Sequence, residues 1–313
     1  MDFTLTTEQQ ALRDVAVKVA AGTPPGWPEL VELGWFDPEL PALETALIGE
    51  SCAAATGFGA VLLTQAYALP AYRRAGRSPT APTTHARPDR CRLTVTDGRV
   101  SGTAHRVPYV EGMTSLLVSI DDGPAAGVYE LTEVTPAEVT ASIDTEFGYA
   151  RYTLTDAPAE RILDYPDAAR SREHSWVQLA AQAVGIAQTM VTDAAGYARE
   201  RVQFGRPIGS FQAVSHRLVD AYASIELARS LVYRAAWALD ADDAGPASAS
   251  AAVVAAERAA IRAGEAAIQT HGAYGFTWDG PVNRHYRRAR WIADAHEPAA
   301  HHRDLLVAEL LAG

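Results

Sequence analysis

Hydrophobic positions along the chain change their spacing twice. Over roughly residues 4–76 they recur at the three- and four-residue steps of amphipathic helices, and they do so again from about Asp167 to the end. Between these regions, short apolar runs are bounded by Asp-Gly or Gly-Pro turns, which is typical of strands and hairpins. The predicted strands cover residues 92–96, 115–120, 127–131 and 149–154.

This pattern predicts a mainly α fold with a small β domain. We expect an N-terminal helical domain over residues 1–78, a shortened middle β domain over 79–166 and a C-terminal four-helix bundle over 167–313. Prolines among Ser, Thr and Arg predict a linker over residues 77–92. The helices of the last domain are predicted from near Arg172 toward Arg201, from Phe211 to Leu239, from Ala247 to His271 and from Ala299 to Leu311.

The start of the first helix carries a capping signal. Thr6 with Gln9, or Thr7 with Gln10, has the spacing at which a hydroxyl and an amide side chain satisfy each other's backbone N–H groups. Either pair predicts a helix that begins near residue 7.

Composition and charge exclude several classes of partner. The chain has 313 residues, of which 48% are hydrophobic and 21% charged, and a formal net charge of −11, so a nucleic acid or an anionic membrane would be repelled at long range. Two cysteines without metal-ligand spacing, Cys52 and Cys91, fit reduced thiols. No apolar run approaches the ~20 residues of a membrane span. We therefore expect a cytoplasmic protein that binds neither nucleic acid nor membrane.

Three segments of the C-terminal half carry the most specific signals. Residues 201–212 read Arg-Val-Gln-Phe-Gly-Arg-Pro-Ile-Gly-Ser-Phe-Gln, residues 268–276 read Ile-Gln-Thr-His-Gly-Ala-Tyr-Gly-Phe, and residues 281–290 follow them. These segments resemble the motifs of acyl-CoA dehydrogenases, and residues 3–9 and 30–36 are similar to that family's N-terminal helices. The resemblance implies an acyl-CoA dehydrogenase-like fold and FAD as the cofactor.

In that family FAD lies between subunits, and the resemblance assigns five residues to its pyrophosphate and adenine side. Arg201 matches an arginine at the diphosphate, a role that suits the planar donors of a guanidinium. The other four are Phe204 and Gln212, beside the cofactor, and Gln269 and Gly272, on the adenosine side. The family's second glycine is Ala273 here. The competing interpretation is that Arg201 makes a surface ion pair and that the glycine only ends a helix.

The flavin-ring side of the site and the catalytic base do not match the family. The middle domain shows neither of the two motifs that hold the ring, and His296 stands where the family usually has its glutamate. A second location for that glutamate falls on Ser175. Weak candidates for a base are His296 itself, Glu297 and Glu173, although Glu173 lies about 200° around a helix from Ser175.

A metal site is not expected. His301 and His302 follow His296 closely, but adjacent histidines on a helix point about 100° apart. Scattered histidines at the end of a helix account for the pattern.

The missing flavin-ring motifs and the missing glutamate lie on one side of the cofactor site, which predicts that the chain is a subunit of a hetero-oligomer. The chain resembles the shortened subunits of actinobacterial α2β2 acyl-CoA dehydrogenases that act on steroid side-chain CoA thioesters. This resemblance implies lipid metabolism, a catalytic partner subunit that holds the flavin ring and the base, an acyl-CoA substrate, and an electron-transfer flavoprotein as acceptor. Two alternatives stay open: a self-sufficient homomeric acyl-CoA or acyl-carrier-protein dehydrogenase with His296 or Glu297 as base, and a cofactor-free scaffold.

Overall fold

The computed structural model describes residues 4–121, 123–241, 245–278 and 280–312. Phe3, at the start of the N-terminal resemblance, lies outside the described residues. The chain forms two compact units, the first of residues 1–17, 42–54 and 179–313 and the second of residues 18–41 and 55–178. The three predicted domain boundaries stay a prediction.

The helices of the N-terminal region alternate between the two units. They are α1 (Thr7–Ala20), α2 (Trp27–Glu32), α3 (Ala42–Cys52), α4 (Gly59–Leu63) and α5 (Leu69–Arg74), with a π-helical turn at Thr64–Ala68. The capping box forms at the first of the two predicted pairs. The Thr6 N–H donates to Gln9 Oε1 at 3.0 Å, and the Gln9 N–H donates to Thr6 Oγ1 at 3.2 Å.

The second unit contains two four-stranded sheets. Its strands are β1 (Thr83–Ala86), β2 (Cys91–Thr96), β3 (Arg99–Tyr109), β4 (Ser115–Ile120), β5 (Gly127–Leu131), β6 (Glu138–Ala141), β7 (Gly148–Pro158) and β8 (Glu160–Asp164). One sheet has the order β1-β4-β5-β8 and the other β2-β3-β7-β6. Val100, Ala104 and Tyr152 of the second sheet pack with Leu116 and Val118 of the first in one buried cluster.

All four predicted strands are confirmed, but the linker prediction is wrong at its centre. Residues Thr83–Ala86 form β1, which pairs in parallel with β4 from Thr83↔Ser115 to Ala86↔Val118. The surrounding prolines lie outside this strand, so they do not interrupt its ladder. Burial against the second sheet, which the local sequence does not show, stabilises the segment.

Six α-helices and one hairpin follow β8 among the described residues. They are α6 (Asp167–Glu200), β9 (Val202–Gln203), β10 (Arg206–Pro207), α7 (Gln212–Asp240), α8 (Pro246–His271), α9 (Ala273–Phe276), α10 (Pro281–Ala295) and α11 (Ala299–Ala312). The predicted helices of the C-terminal domain are confirmed to within about five residues at each end. Among the described residues, no helix combines the length and apolar character that crossing a membrane requires.

Close helix packing builds the core of the first unit. A Cβ added to Gly185 of α6 would meet the Glu50 carbonyl oxygen of α3 at 1.9 Å, so only glycine lets these helices approach so closely. The Glu50 carboxylate accepts hydrogen bonds from Arg229 Nε at 2.8 Å and from the Tyr233 hydroxyl at 2.9 Å, both on α7. These contacts fix α3 against the bundle.

Candidate functional site

The loop between α6 and α7 presents two of the predicted cofactor residues. Arg201 follows the last residue of α6, and its N–H donates to the Tyr197 carbonyl at 2.9 Å. The hairpin of β9 and β10 turns at Phe204 and Gly205, which both have positive φ, 54° and 78°. Two successive positive φ angles are typical of a tight hairpin turn. The turn therefore fixes the Phe204 side chain at its tip.

The side chains of this loop point away from the chain's own core. Phe204 is 93% exposed and Arg201 is exposed. Within residues 4–121, 123–241, 245–278 and 280–312, no carboxylate forms an ion pair with Arg201. The interpretation of Arg201 as one half of a surface ion pair therefore has no support. A phenyl ring left in solvent is an unfavourable exposure that a ligand or another chain would relieve.

Two further contacts stiffen the loop. The Arg206 guanidinium lies 4.0 Å from the centre of the Phe211 ring, and the Phe204 and Phe211 rings meet edge to face with centroids 6.1 Å apart. Sequence analysis missed Arg206, although its place between the two aromatic residues is a visible signal.

The C-terminal end of α8 presents Gln269 and Gly272. Gln269 is exposed, and Gly272 ends the helix with φ 65° and ψ −138°, a conformation that L side chains rarely adopt. No heavy atom of the described residues lies within 4 Å of a Cβ added to Gly272. The space beside the Gly272 Cα is therefore open to a ligand, while its N–H donates to the Ile268 carbonyl and its carbonyl accepts from the Gly275 N–H, both at 3.0 Å. Ala273, at the family's second glycine, is the first residue of α9.

Ring stacking joins the two motifs in space. The Tyr197 ring of α6 lies parallel to the His271 ring of α8, with centroids 4.5 Å apart. Gln212 is the first residue of α7, whose N-terminal end adjoins the C-terminal end of α8 because the two helices are antiparallel neighbours. The structure therefore brings the five predicted cofactor residues to one end of the bundle, and all five are exposed.

A cleft of about 360 Å³ lies between α7 and α8. Positions 262, 265, 266 and 269 lie on one face of α8, since they are three and four residues apart. Sequence analysis missed this cleft because residues from two helices form it. Its lining residues are Arg217, Asp220, Ala221, Arg262, Glu265 and Ala266.

His296 points into the first unit and lies among polar partners there. It is 4% exposed, and its Nε2 lies 2.7 Å from Glu257 Oε1 of α8, although this oxygen accepts no hydrogen bond of proper geometry. His296 Nδ1 lies 2.8 Å from the Glu297 carbonyl oxygen and 3.3 Å from His302 Nε2. Both ring nitrogens are thus engaged within the chain, which favours a structural role over that of a base.

The other positions considered for a base lie in different surroundings. Ser175 is half-buried, and its hydroxyl donates to the Ser171 carbonyl at 3.3 Å. Glu173 is half-buried, and desolvation raises its pKa against the opposing effect of Arg170, Arg74 and Arg172. Glu297 is half-buried beside His296. No finding assigns proton abstraction to any of these residues, and Glu173 and Glu297 remain weak candidates.

Sequence analysis missed the partner of His296. Glu257 lies on α8 in the run Ala-Ala-Glu-Arg-Ala-Ala, where a single carboxylate enters an alanine-rich buried face. A buried carboxylate requires a polar partner, so its position on this face predicts that one is present. The identity of the partner depends on the packing of α8 against the segment that joins α10 to α11.

The match to a family model is confined to the bundle. Residues 169–309 match the model described as "Acyl-CoA dehydrogenase, C-terminal domain". A "3-(aryl)acrylate reductase" of Clostridium sporogenes is 41% identical over 117 residues, which are 37% of this chain and 31% of that protein. The chain spans about a third of the length of the curated relatives it matches first.

The fold of the whole chain is similar to that of solved structures. A butyryl-CoA dehydrogenase from Megasphaera elsdenii superposes with a TM-score of 0.87 at 22% identity, covering 99% of this chain and all of that one. The ChsE4-ChsE5 complex from Mycobacterium tuberculosis gives 0.83 at 23% identity, with both chains fully covered.

The fold is therefore that of the acyl-CoA dehydrogenases, mainly α with a small β region. Residues 169–309 are similar in sequence to the C-terminal domain of acyl-CoA dehydrogenases, and FAD is the cofactor that this similarity supports.

Proposed function

We propose that this chain is a subunit of a flavin-dependent acyl-CoA dehydrogenase and supplies the pyrophosphate and adenine half of an FAD site to a catalytic partner subunit. The observation that carries the proposal is the exposure of Arg201 and Phe204 on one fixed hairpin, with no ion pair to Arg201 among the described residues. Charged and aromatic side chains that the chain itself does not use are suited to a ligand shared with another subunit.

The residues at this end of the bundle fit FAD chemically. The Arg201 guanidinium offers paired donors to diphosphate oxygens, and the open space beside the Gly272 Cα admits the cofactor closely. Phe204, Gln212 and Gln269 supply an aromatic face and amide groups on the same side. When bound, FAD supplies the acceptor for hydride, and this chain's part is to bind and orient the cofactor.

The base and the flavin-ring platform belong to the partner subunit in this proposal. His296 is held by Glu257 and His302 inside the bundle, and Ser175 occupies the second known location of the glutamate. The reaction of the complex is then α,β-dehydrogenation of an acyl-CoA thioester, with an electron-transfer flavoprotein as acceptor. The similarity to the ChsE4-ChsE5 complex supports a two-subunit assembly, and we propose a steroid side-chain CoA as substrate.

Co-expression separates the proposal from its alternatives. The chain purified alone should carry no flavin absorbance, and co-expression with a longer dehydrogenase homologue that carries the flavin-ring motifs and the glutamate should restore it. Bound FAD and turnover in the chain alone would instead identify a homomeric enzyme with Glu297 or His296 as base. If co-expression with every such partner yields no bound flavin, the result would support the alternative of a cofactor-free scaffold.

The sharpest test is Arg201→Ala in the co-expressed complex. Loss of a charge-assisted diphosphate contact should lower FAD occupancy at least about tenfold, since such contacts contribute about 1.5–3 kcal/mol. Arg303→Ala on α11 is the matched control, because Arg303 is also an exposed arginine of the bundle. Unchanged FAD occupancy in Arg201→Ala, with the complex intact by gel filtration, would contradict the proposal.

A further inference from the structure

The segment that joins α10 to α11 brings two histidines and a glutamate together. One ligand atom from each of His296, Glu297 and His302 lies within 4.8 Å of the other two. His296 and His302 are buried, 4% and 0% exposed, and Glu297 is half-buried. Nothing in the proposed FAD half-site uses these residues, so the cluster needs its own explanation.

The facing nitrogens of the two histidines have the separation of metal ligands. His296 Nδ1 and His302 Nε2 are 3.3 Å apart. Two nitrogens bound to one zinc ion at about 2.0–2.1 Å in a tetrahedral site are separated by about 3.3–3.4 Å. Without an ion, the Glu297 carbonyl oxygen accepts a hydrogen bond from His296 Nδ1 at 2.8 Å, so a cation bound at this nitrogen would replace its proton.

The outer nitrogens of both rings have polar partners that suit this arrangement. Glu257 Oε1 lies 2.7 Å from His296 Nε2, and Ser250 Oγ lies 3.1 Å from His302 Nδ1. In metal sites the non-ligating nitrogen of a histidine usually donates its hydrogen to a carboxylate or another oxygen, which orients the ring. If these two outer nitrogens carry the protons when metal is bound, both inner nitrogens can donate their lone pairs to the ion.

We propose that His296, Glu297 and His302 bind a divalent transition-metal cation of the zinc class, with Glu257 and Ser250 orienting the two imidazoles. Imidazole with carboxylate is a ligand set that zinc accepts, and the ion would displace the proton that hydrogen-bonds His296 Nδ1 to its neighbours in the absence of metal. The ion ties the start of α11 to the segment that follows α10, and it has a structural role. The site is independent of the FAD half-site.

The sequence argument against a metal holds for one pair of histidines only. His301 is exposed whereas His302 is fully buried, as their 100° separation on a helix requires. The second histidine of the cluster comes from the segment before the helix instead. His301 is therefore a natural control for His302.

Zinc binding tests the proposal on the purified chain, prepared without a polyhistidine tag and stripped with a chelator. Titration with zinc chloride, followed by elemental analysis after desalting, should give one ion per chain and raise the thermal midpoint of unfolding. His302→Ala should weaken zinc binding at least about tenfold, whereas His301→Ala should leave it unchanged. Glu297→Gln, which is nearly isosteric, should weaken it without loss of the fold in circular dichroism.

Two results would overturn the proposal. One is a retained zinc content below about a tenth of an ion per chain in the unmodified protein, in which case the cluster is a hydrogen-bonded network only. The other is an equal loss of zinc in His301→Ala and His302→Ala, which would show binding at surface histidines. FAD content in the co-expressed complex is a separate readout, so failure here leaves the cofactor proposal untouched.

Discussion

The polar residues at the two ends of α8 differ in burial. In its first half, Ser250 and Glu257 contact the buried rings of His302 and His296. At its C-terminal end, Gln269 is exposed and the space beside the Gly272 Cα is open. An unpaired polar group destabilises a buried core but is hydrated when exposed. The side chains of Ser250 and Glu257 therefore contribute to the chain's own fold. Only the residues at the C-terminal end are available to a cofactor or another subunit.

The same contrast separates His296 from Arg201 and Phe204. His296 stands at the position of the family's glutamate, yet its contacts are all with its own chain. Arg201 and Phe204 keep the family's motif and face outward. In the proposed function, a position without a role in catalysis can be buried in the core, whereas a residue that contacts the cofactor has to stay exposed.

The largest effect is expected for Glu257→Ala. Removal of this carboxylate leaves the Nε2 of a buried imidazole without a polar neighbour, which should lower the free energy of unfolding by about 1–3 kcal/mol. Glu265→Ala, eight residues along the same helix and exposed, should change it by less than about 0.5 kcal/mol. Urea denaturation measures both variants, and equal effects would show that the two ends of α8 do not differ as described.

The free energy of unfolding should depend on pH through a second buried histidine, His174. Desolvation, with Arg73 and Arg74 nearby, lowers the pKa of His174 to about 3. The unfolded chain takes up a proton below pH ~6.5 while the folded chain does not, so stability is lost as the pH falls from about 6.5 toward about 3. Between pH 7 and pH 5 the loss from this group should be about 2 kcal/mol.

His174→Gln isolates that contribution. The variant cannot take up a proton at this position, so its free energy of unfolding should fall less steeply between pH 7 and pH 5 than that of the unmodified chain. His216→Gln, at an exposed histidine on α7, should keep the original slope. Identical slopes for all three proteins would contradict the assignment of the acid response to His174.

The smallest effect on stability is expected for Phe204→Ala. Its ring is 93% exposed, so truncation should change the free energy of unfolding of the isolated chain by less than about 0.5 kcal/mol. In the co-expressed complex, FAD content should nevertheless fall, because the ring serves the cofactor side. A clear loss of stability in the isolated chain with full FAD content would reverse the interpretation of this loop.

Helical spacing predicted α6, α7, α8 and α11 because the buried face of an amphipathic helix consists of apolar residues three and four positions apart in the local sequence. The strand β1 was missed because its burial depends on a sheet whose other strands lie farther along the chain. Motifs identified the exposed residues of the proposed cofactor site, since each of them is recognised from its own place in a motif. The cluster around His296 was missed because its partners are 39 and six residues away in sequence, on separate helices.

The sequence by itself determined the order of helical and β regions, the acyl-CoA dehydrogenase motifs and the absence of a glutamate at residue 296. Each of these is a local property of residue type and spacing. Only the tertiary structure decided that Arg201 and Phe204 face outward while His296 faces inward toward Glu257 and His302. The exposure of a side chain and the identity of its contacts depend on how helices that are distant in sequence pack together, and a local sequence pattern does not determine that packing.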